Sequence, residues 1–170
     1  RETIRKILQN SNAAIKFCDL NLREGTYTDE TIEYSLQACN FLKLNEDELG
    51  YINRDNRFGK EDKEIVKSIA EEYQIRNICV TLGEKGSMLY HDGAFYIKLI
   101  PKEPVIDTVG AGDAFSAMMM IGAMLNRSAD HMLQVASAFA LEVCGLKGAV
   151  PATSDWYEQI SDEIREYVYG

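Results

Sequence analysis

Ile4, Ile7 and Leu8 recur at helical spacing within Arg1–Asn10, and the next apolar run, Ala13 to Cys18, is short and continuous, as in a buried strand ending at Asp19. Ile32, Tyr34 and Leu36 supply the apolar positions of a helix over Asp29–Ala38. Phe41 and Leu42 predict a second strand running into Asn45, and Ile65, Val66, Ile69, Ala70 and Tyr73 line one face of a helix over Lys60–Tyr73. Asn77–Thr81 reads as a third strand, and Ser87–His91 and Ala94–Ile97 flank Asp92-Gly93, a hairpin signal that makes the sheet mixed. Three helices follow at about 112–126, 129–145 and 154–168, with Gly145 and Gly148 closing the second and Pro151 preceding the third. Strands alternating with helices predict a layered α/β fold with ligands at the carboxyl ends of its strands. No internal repeat, low-complexity tract or long linker interrupts it.

Composition narrows the partners. The 170 residues, 46% hydrophobic, suffice for one substantial core and are too few for two ordinary domains, so one domain over 1–170 is expected. Acidic residues outnumber basic ones 27 to 18, and no Lys/Arg cluster is interleaved with aromatics. Nucleic acid and anionic membranes are therefore disfavoured and small molecules favoured. Cys18, Cys39, Cys79 and Cys144 form no C-x-x-C pair, and His91 and His131 lack neighbours at ligand spacing, which argues against zinc and for reduced thiols in a cytoplasmic protein. Arg1 is not expected to be a native start, since initiator methionine is normally removed only before a small residue. The opening segment has no signal-peptide pattern, and the most apolar run, Ala114 to Leu125, is only about half the length needed to span a bilayer.

Candidate chemistry concentrates at Asp107-Thr108-Val109-Gly110-Ala111-Gly112-Asp113, which joins an extended segment to the most apolar helix. Two glycines let the backbone approach a ligand, and the first N–H groups of the helix, with its positive dipole end, suit anionic oxygens such as a phosphoryl group. A carboxylate among such donors needs a reason to be there, and accepting the proton of an attacking hydroxyl supplies one for Asp113. A plain helix cap of about 1 kcal/mol is the competing reading. Phe115 stands where a dinucleotide fingerprint needs its third glycine, and no P-loop motif occurs.

The run D-T-V-G-A-G-D resembles the D-T-x-G-A-G-D signature of the ribokinase-like (PfkB-type) carbohydrate kinases. That resemblance implies an α/β ribokinase-like fold and transfer of the ATP γ-phosphoryl group to a sugar hydroxyl. It makes Asp113 the base and Gly110, Ala111, Gly112 and Asp113 the anion hole. It also implies that Thr108 borders the nucleotide and that Asp107 helps hold a monovalent cation, K+. Asn45-Glu46-Asp47-Glu48 is similar to the family's N-x-x-E, which implies that Asn45 and Glu48 organise Mg2+, its waters and the phosphates. Read by themselves, those two residues are an N-cap with its capping-box acid. Thr81-Leu82-Gly83-Glu84-Lys85-Gly86 resembles the T-x-G-x-x-G turn beside the nucleotide, with Thr81, Gly83 and Gly86 carrying the match. An ordinary strand-to-hairpin turn is the alternative. Gly148-Ala149-Val150-Pro151 resembles the G-A-x-x-P neighbourhood beside the adenine.

Asp19-Leu20-Asn21-Leu22-Arg23 is similar to the D-x-N-x-R segment of the fructokinases and 2-keto-3-deoxygluconate kinases, which implies that Asn21 and Arg23 face the sugar. Taken alone, Arg23 equally suits a surface salt bridge. The resemblance covers the C-terminal half or somewhat more of a usual family member, without the N-terminal lid and most sugar contacts. A homodimeric parent stays open, because family dimers form through that lid. Two other function classes are weighed against a kinase: a non-catalytic sugar- or nucleotide-binding regulator on the same scaffold, which retention of Asp113 and both glycines opposes, and a nicotinamide-dependent oxidoreductase, which Phe115 opposes.

Overall fold

A computed structural model describes residues 2–101, 105–148, 150–151 and 153–169, and within them places the elements read from the sequence in their expected order, with one short helix over Glu46–Ile52 added. They are α1 (Glu2–Asn10), β1 (Phe17–Asp19), α2 (Asp29–Ala38), β2 (Phe41–Asn45), α3 (Glu46–Ile52), α4 (Asp62–Tyr73), β3 (Asn77–Thr81), β4 (Ser87–His91), β5 (Ala94–Lys98), α5 (Ala111–Met124), α6 (Ala129–Cys144) and α7 (Asp155–Tyr169). The chain divides into two compact units: Arg1–Gly83 with Met88–Tyr96, and Glu84–Ser87 with Ile97–Gly170. No helix among the described residues is long and apolar enough to cross a membrane.

The sheet runs β1-β2-β3-β4-β5, with β1, β2 and β3 parallel. The connections from β3 to β4 and from β4 to β5 are too short for a parallel crossover, so the sheet turns antiparallel there and is mixed. Asp92 and Gly93 both have positive φ, 46° and 91°, which suits a tight hairpin. In the first unit Leu42, Leu44, Ile78, Val80, Met88 and Tyr90 from the strands pack with Ile32 and Leu36 of α2, Leu49 and Ile52 of α3, and Ile65, Val66 and Ile69 of α4. In the second unit Phe115, Met118 and Met119 of α5 and Met132, Leu133 and Ala136 of α6 are buried, and α5 packs along α6.

Helix ends differ from expectation by a residue or two for identifiable reasons. α5 stops at Met124 because Asn126 takes φ 53°, and the N–H groups of Arg127 and Asn126 bond back to the carbonyls of Gly122 and Ala123. This is the Schellman arrangement. β1 starts at Phe17 rather than Ala13 because β2, its neighbour among the described residues, starts at Phe41, the register partner of Phe17.

Candidate active site

In the first unit the candidate residues gather where β1, β2 and β3 end. Asn45 closes β2 and caps α3: its Oδ1 accepts the Glu48 N–H at 2.8 Å, and Glu48 Oε2 accepts the Asn45 N–H at 2.8 Å. The capping box expected of these residue types is therefore formed. Glu48 does more than cap, because its Oε1 accepts the Leu22 N–H at 2.8 Å, and the side chain is buried with 4% of the residue exposed. Each of the three oxygens already accepts one N–H and keeps one further lone pair. Such a set fits magnesium held through water and by nucleotide phosphates, and does not fit an ion gripped directly by protein. Among the described residues no three His, Cys, Asp or Glu side chains form a metal cluster.

Asp19, at the end of β1, pairs with Lys43 Nζ at 3.2 Å. Lys43 is a residue that motif reading passes over, though a signal was available: it is the one charge in the strand Phe41–Asn45, otherwise apolar up to its terminal Asn, and it is only 6% exposed. A charge in such a strand needs a partner, and register places Asp19 opposite it. Asn21 is exposed with φ 42°. Arg23 is exposed, and among the described residues its guanidinium has no ion-pair or hydrogen-bond partner, so the surface salt bridge is not formed. Thr81 ends β3 half-buried, its hydroxyl donating to the Leu44 carbonyl at 3.4 Å. Gly83, with φ 56°, opens the 3-10 turn Gly83–Lys85.

Gly86 belongs to the second unit, where packing alone explains its identity. It has φ 103°, and a Cβ there would lie 2.0 Å from the Lys98 carbonyl oxygen. Gly86→Ala is expected to cost about 1–3 kcal/mol in backbone strain and about as much again in overpacking, read as a lower urea midpoint. Gly83→Ala, where nothing lies within 4 Å of the added carbon, is the control and should cost the strain alone.

Asp107 closes the loop before α5. Its Oδ1 accepts the Val109 N–H at 3.0 Å and its Oδ2 the Gly148 N–H at 3.1 Å, while the Ile106 and Asp107 N–H groups reach the Cys144 carbonyl. The bonds from Val109 and Gly148 hold its carboxyl below the usual aspartate range. Its depressed pKa keeps the clamp intact above the ordinary aspartate value and releases it only as pH falls through the lower one. With both oxygens engaged, Asp107 is a loop clamp, and this donor set does not single out a monovalent cation.

Gly110 is the N-cap of α5, with φ 85°, and no side chain caps the helix. The Ala111 N–H donates to the Thr108 carbonyl at 3.2 Å. The N–H groups of Gly110, Gly112 and Asp113 have no acceptor among the described residues. Asp113 sits in the first turn, exposed, and its carboxylate makes no capping bond and has no partner among the described residues. Thr108 is exposed. Gly148 has φ 78°, Val150 is 69% exposed, and Ala149 lies outside the described residues.

Residues 1–156 match the sequence family described as pfkB family carbohydrate kinase. The chain is similar to the 2-dehydro-3-deoxygalactonokinase of Haloferax volcanii, 27% identical over 177 residues that cover 100% of this chain and 52% of that protein. A ribokinase structure from Thermotoga maritima aligns at TM-score 0.73 and 21% identity, covering 87% of this chain and 48% of that one. A fructokinase from Vibrio cholerae, solved with fructose, ADP and calcium, aligns at TM-score 0.68 and 22% identity over 85% of this chain and 50% of its own. At these identities the two structures speak for the ribokinase-like fold, and the chain spans about half the length of these relatives. A family match that takes in the clamped Asp107 loop, the open first turn of α5 and the Asn45–Glu48 turn decides the assignment: the chain belongs to the pfkB family of carbohydrate kinases.

Proposed function

We propose that the protein carrying this chain transfers the γ-phosphoryl group of ATP to a sugar hydroxyl, in the manner of a fructokinase, with Asp113 as the base. One observation carries the reading: Asp113 stands in the first turn of an uncapped helix, and its carboxylate is committed to nothing among the described residues. A capping aspartate would be bonded to the N–H groups it caps. Here a carboxylate stands free beside free donors, which suits proton acceptance at one atom and charge stabilisation at others. The N–H groups of Gly110, Gly112 and Asp113 stabilise charge on the transferring group as the sugar hydroxyl passes its proton to the Asp113 carboxylate.

Thr81, Gly83, Thr108 and Gly148 border the nucleotide in this reading, and Asn45 and Glu48 hold magnesium through water. When bound, that ion neutralises phosphate charge. Gly86 and Asp107 keep their turns in shape, and no step depends on potassium. Arg23 offers a planar fork of donors to a sugar hydroxyl or carboxylate, with Asn21 beside it.

A phosphorylation screen of the whole protein against a sugar panel, with ATP and magnesium, tests the class and the substrate together. Failure on every sugar would remove the kinase reading. Arg23→Ala is expected to raise the Michaelis constant for the sugar about tenfold or more, one charge-assisted hydrogen bond lost, and to leave that for ATP nearly unchanged. Equal rises in both would assign Arg23 to packing.

A further inference from the structure

The loop leaving β1 is tied to β2 and α3 at three successive points. Asp19 is paired with Lys43 at 3.2 Å, the Leu20 N–H donates to the Lys43 carbonyl at 3.2 Å, and the Leu22 N–H donates to Glu48 Oε1 at 2.8 Å. Between the last two ties sits Asn21, whose φ of 42° is uncommon for a side-chain-bearing residue and persists where its neighbours are fixed. Immediately after the last tie comes Arg23, exposed, its carbonyl held by Thr26 and its guanidinium without a partner among the described residues.

Glu48 joins the two ends of this arrangement. A capping box needs one carboxylate oxygen on the N-cap amide, and Glu48 Oε2 supplies it to Asn45. The other oxygen reaches a residue 26 positions earlier in the chain, a contact that α3 does not require for its own start. Both bonds are charge-assisted and form in a buried setting, where such bonds are strong and their loss is costly.

We propose that Glu48 is a positioning residue for the sugar: through Leu22 it fixes the backbone that carries Arg23, so that the guanidinium is ordered before the sugar arrives. The inference rests on the reading of Arg23 as a sugar contact. Its physical content is preorganisation, since a loop already held in one conformation need not be ordered at the expense of binding. Lys43 anchors the same loop from its other end through Asp19.

Glu48→Gln tests this in the whole protein. The amide has one acceptor oxygen for two N–H groups and no charge, so the bond to Leu22 is weakened if it is kept and lost if it is not. In the ligand-free protein the exchange protection of the Leu22 amide should fall at least about tenfold. The Michaelis constant for the sugar should rise about tenfold, and this rise should vanish in an Arg23→Ala background, because the two changes act through one contact. Any fall in kcat from disturbed magnesium binding should persist in that background, which separates the two roles. Lys43→Met, which loosens the loop without touching Glu48, should also raise the Michaelis constant for the sugar and serves if Glu48→Gln does not fold. Unchanged Leu22 protection, or rises that multiply independently in the double variant, overturns the proposal. A protein without sugar-dependent turnover sinks the kinase reading and the sugar part of this one, and Leu22 exchange then decides the clamp by itself.

Discussion

Asp113→Asn in the whole protein is expected to reduce turnover at least about a hundredfold, the lower end for loss of a general base, with ATP affinity little changed. Asparagine keeps the size of the side chain and removes its capacity to take a proton. The helix start should survive, because the N-cap of α5 is Gly110 and no side chain, Asp113 included, bonds to the cap. The N–H groups of Gly110, Gly112 and Asp113 are backbone groups and stay in place, so ground-state attraction for phosphate should persist or improve slightly as a negative charge leaves. Single-turnover measurement separates chemistry from release. An Asn variant with normal turnover would take Asp113 out of the mechanism and leave it a surface residue on a helix end.

Much of this was legible in the sequence. Helix α2 over Asp29–Ala38 and the strands Asn77–Thr81 and Ser87–His91 coincide with the expected ranges, because each has a clear period and marked ends. α3 was hidden, since its seven residues, Glu46–Ile52, make just under two helical turns, too few for a periodic pattern to stand out, although its capping box was visible at Asn45 and Glu48. The start of β1 could not be read, because where a strand begins depends on where its neighbour begins. The site divided the same way. Motif spacing singled out Asp113, Asn45 and Glu48 as candidates, each of them placed by a local turn. It could not show that the Ala111 N–H is taken by Thr108, that Asp107 spends both oxygens as a clamp, or that Glu48 reaches Leu22, because these bonds depend on backbone geometry or on segments distant in sequence. It also passed over Lys43, whose meaning appears only once Asp19 lies opposite it.

The 170 residues assayed by themselves are expected to bind adenine nucleotide weakly and to show no sugar-dependent phosphoryl transfer above background. The nucleotide candidates Thr81, Gly83, Gly110, Gly112, Asp113 and Gly148 all lie within them. For the sugar they offer only Asn21 and Arg23 besides the base, whereas the relatives are about twice as long. Transfer needs the hydroxyl held beside its base and in line with the γ-phosphorus, shielded from water, and that positioning accounts for about 7–11 kcal/mol of barrier reduction. Two contacts cannot supply it. Calorimetry with ATP and magnesium, paired with a coupled assay on several sugars, measures both halves of the expectation. Weak binding without turnover agrees with it; sustained turnover would show that these residues hold the sugar unaided and would overturn the expectation.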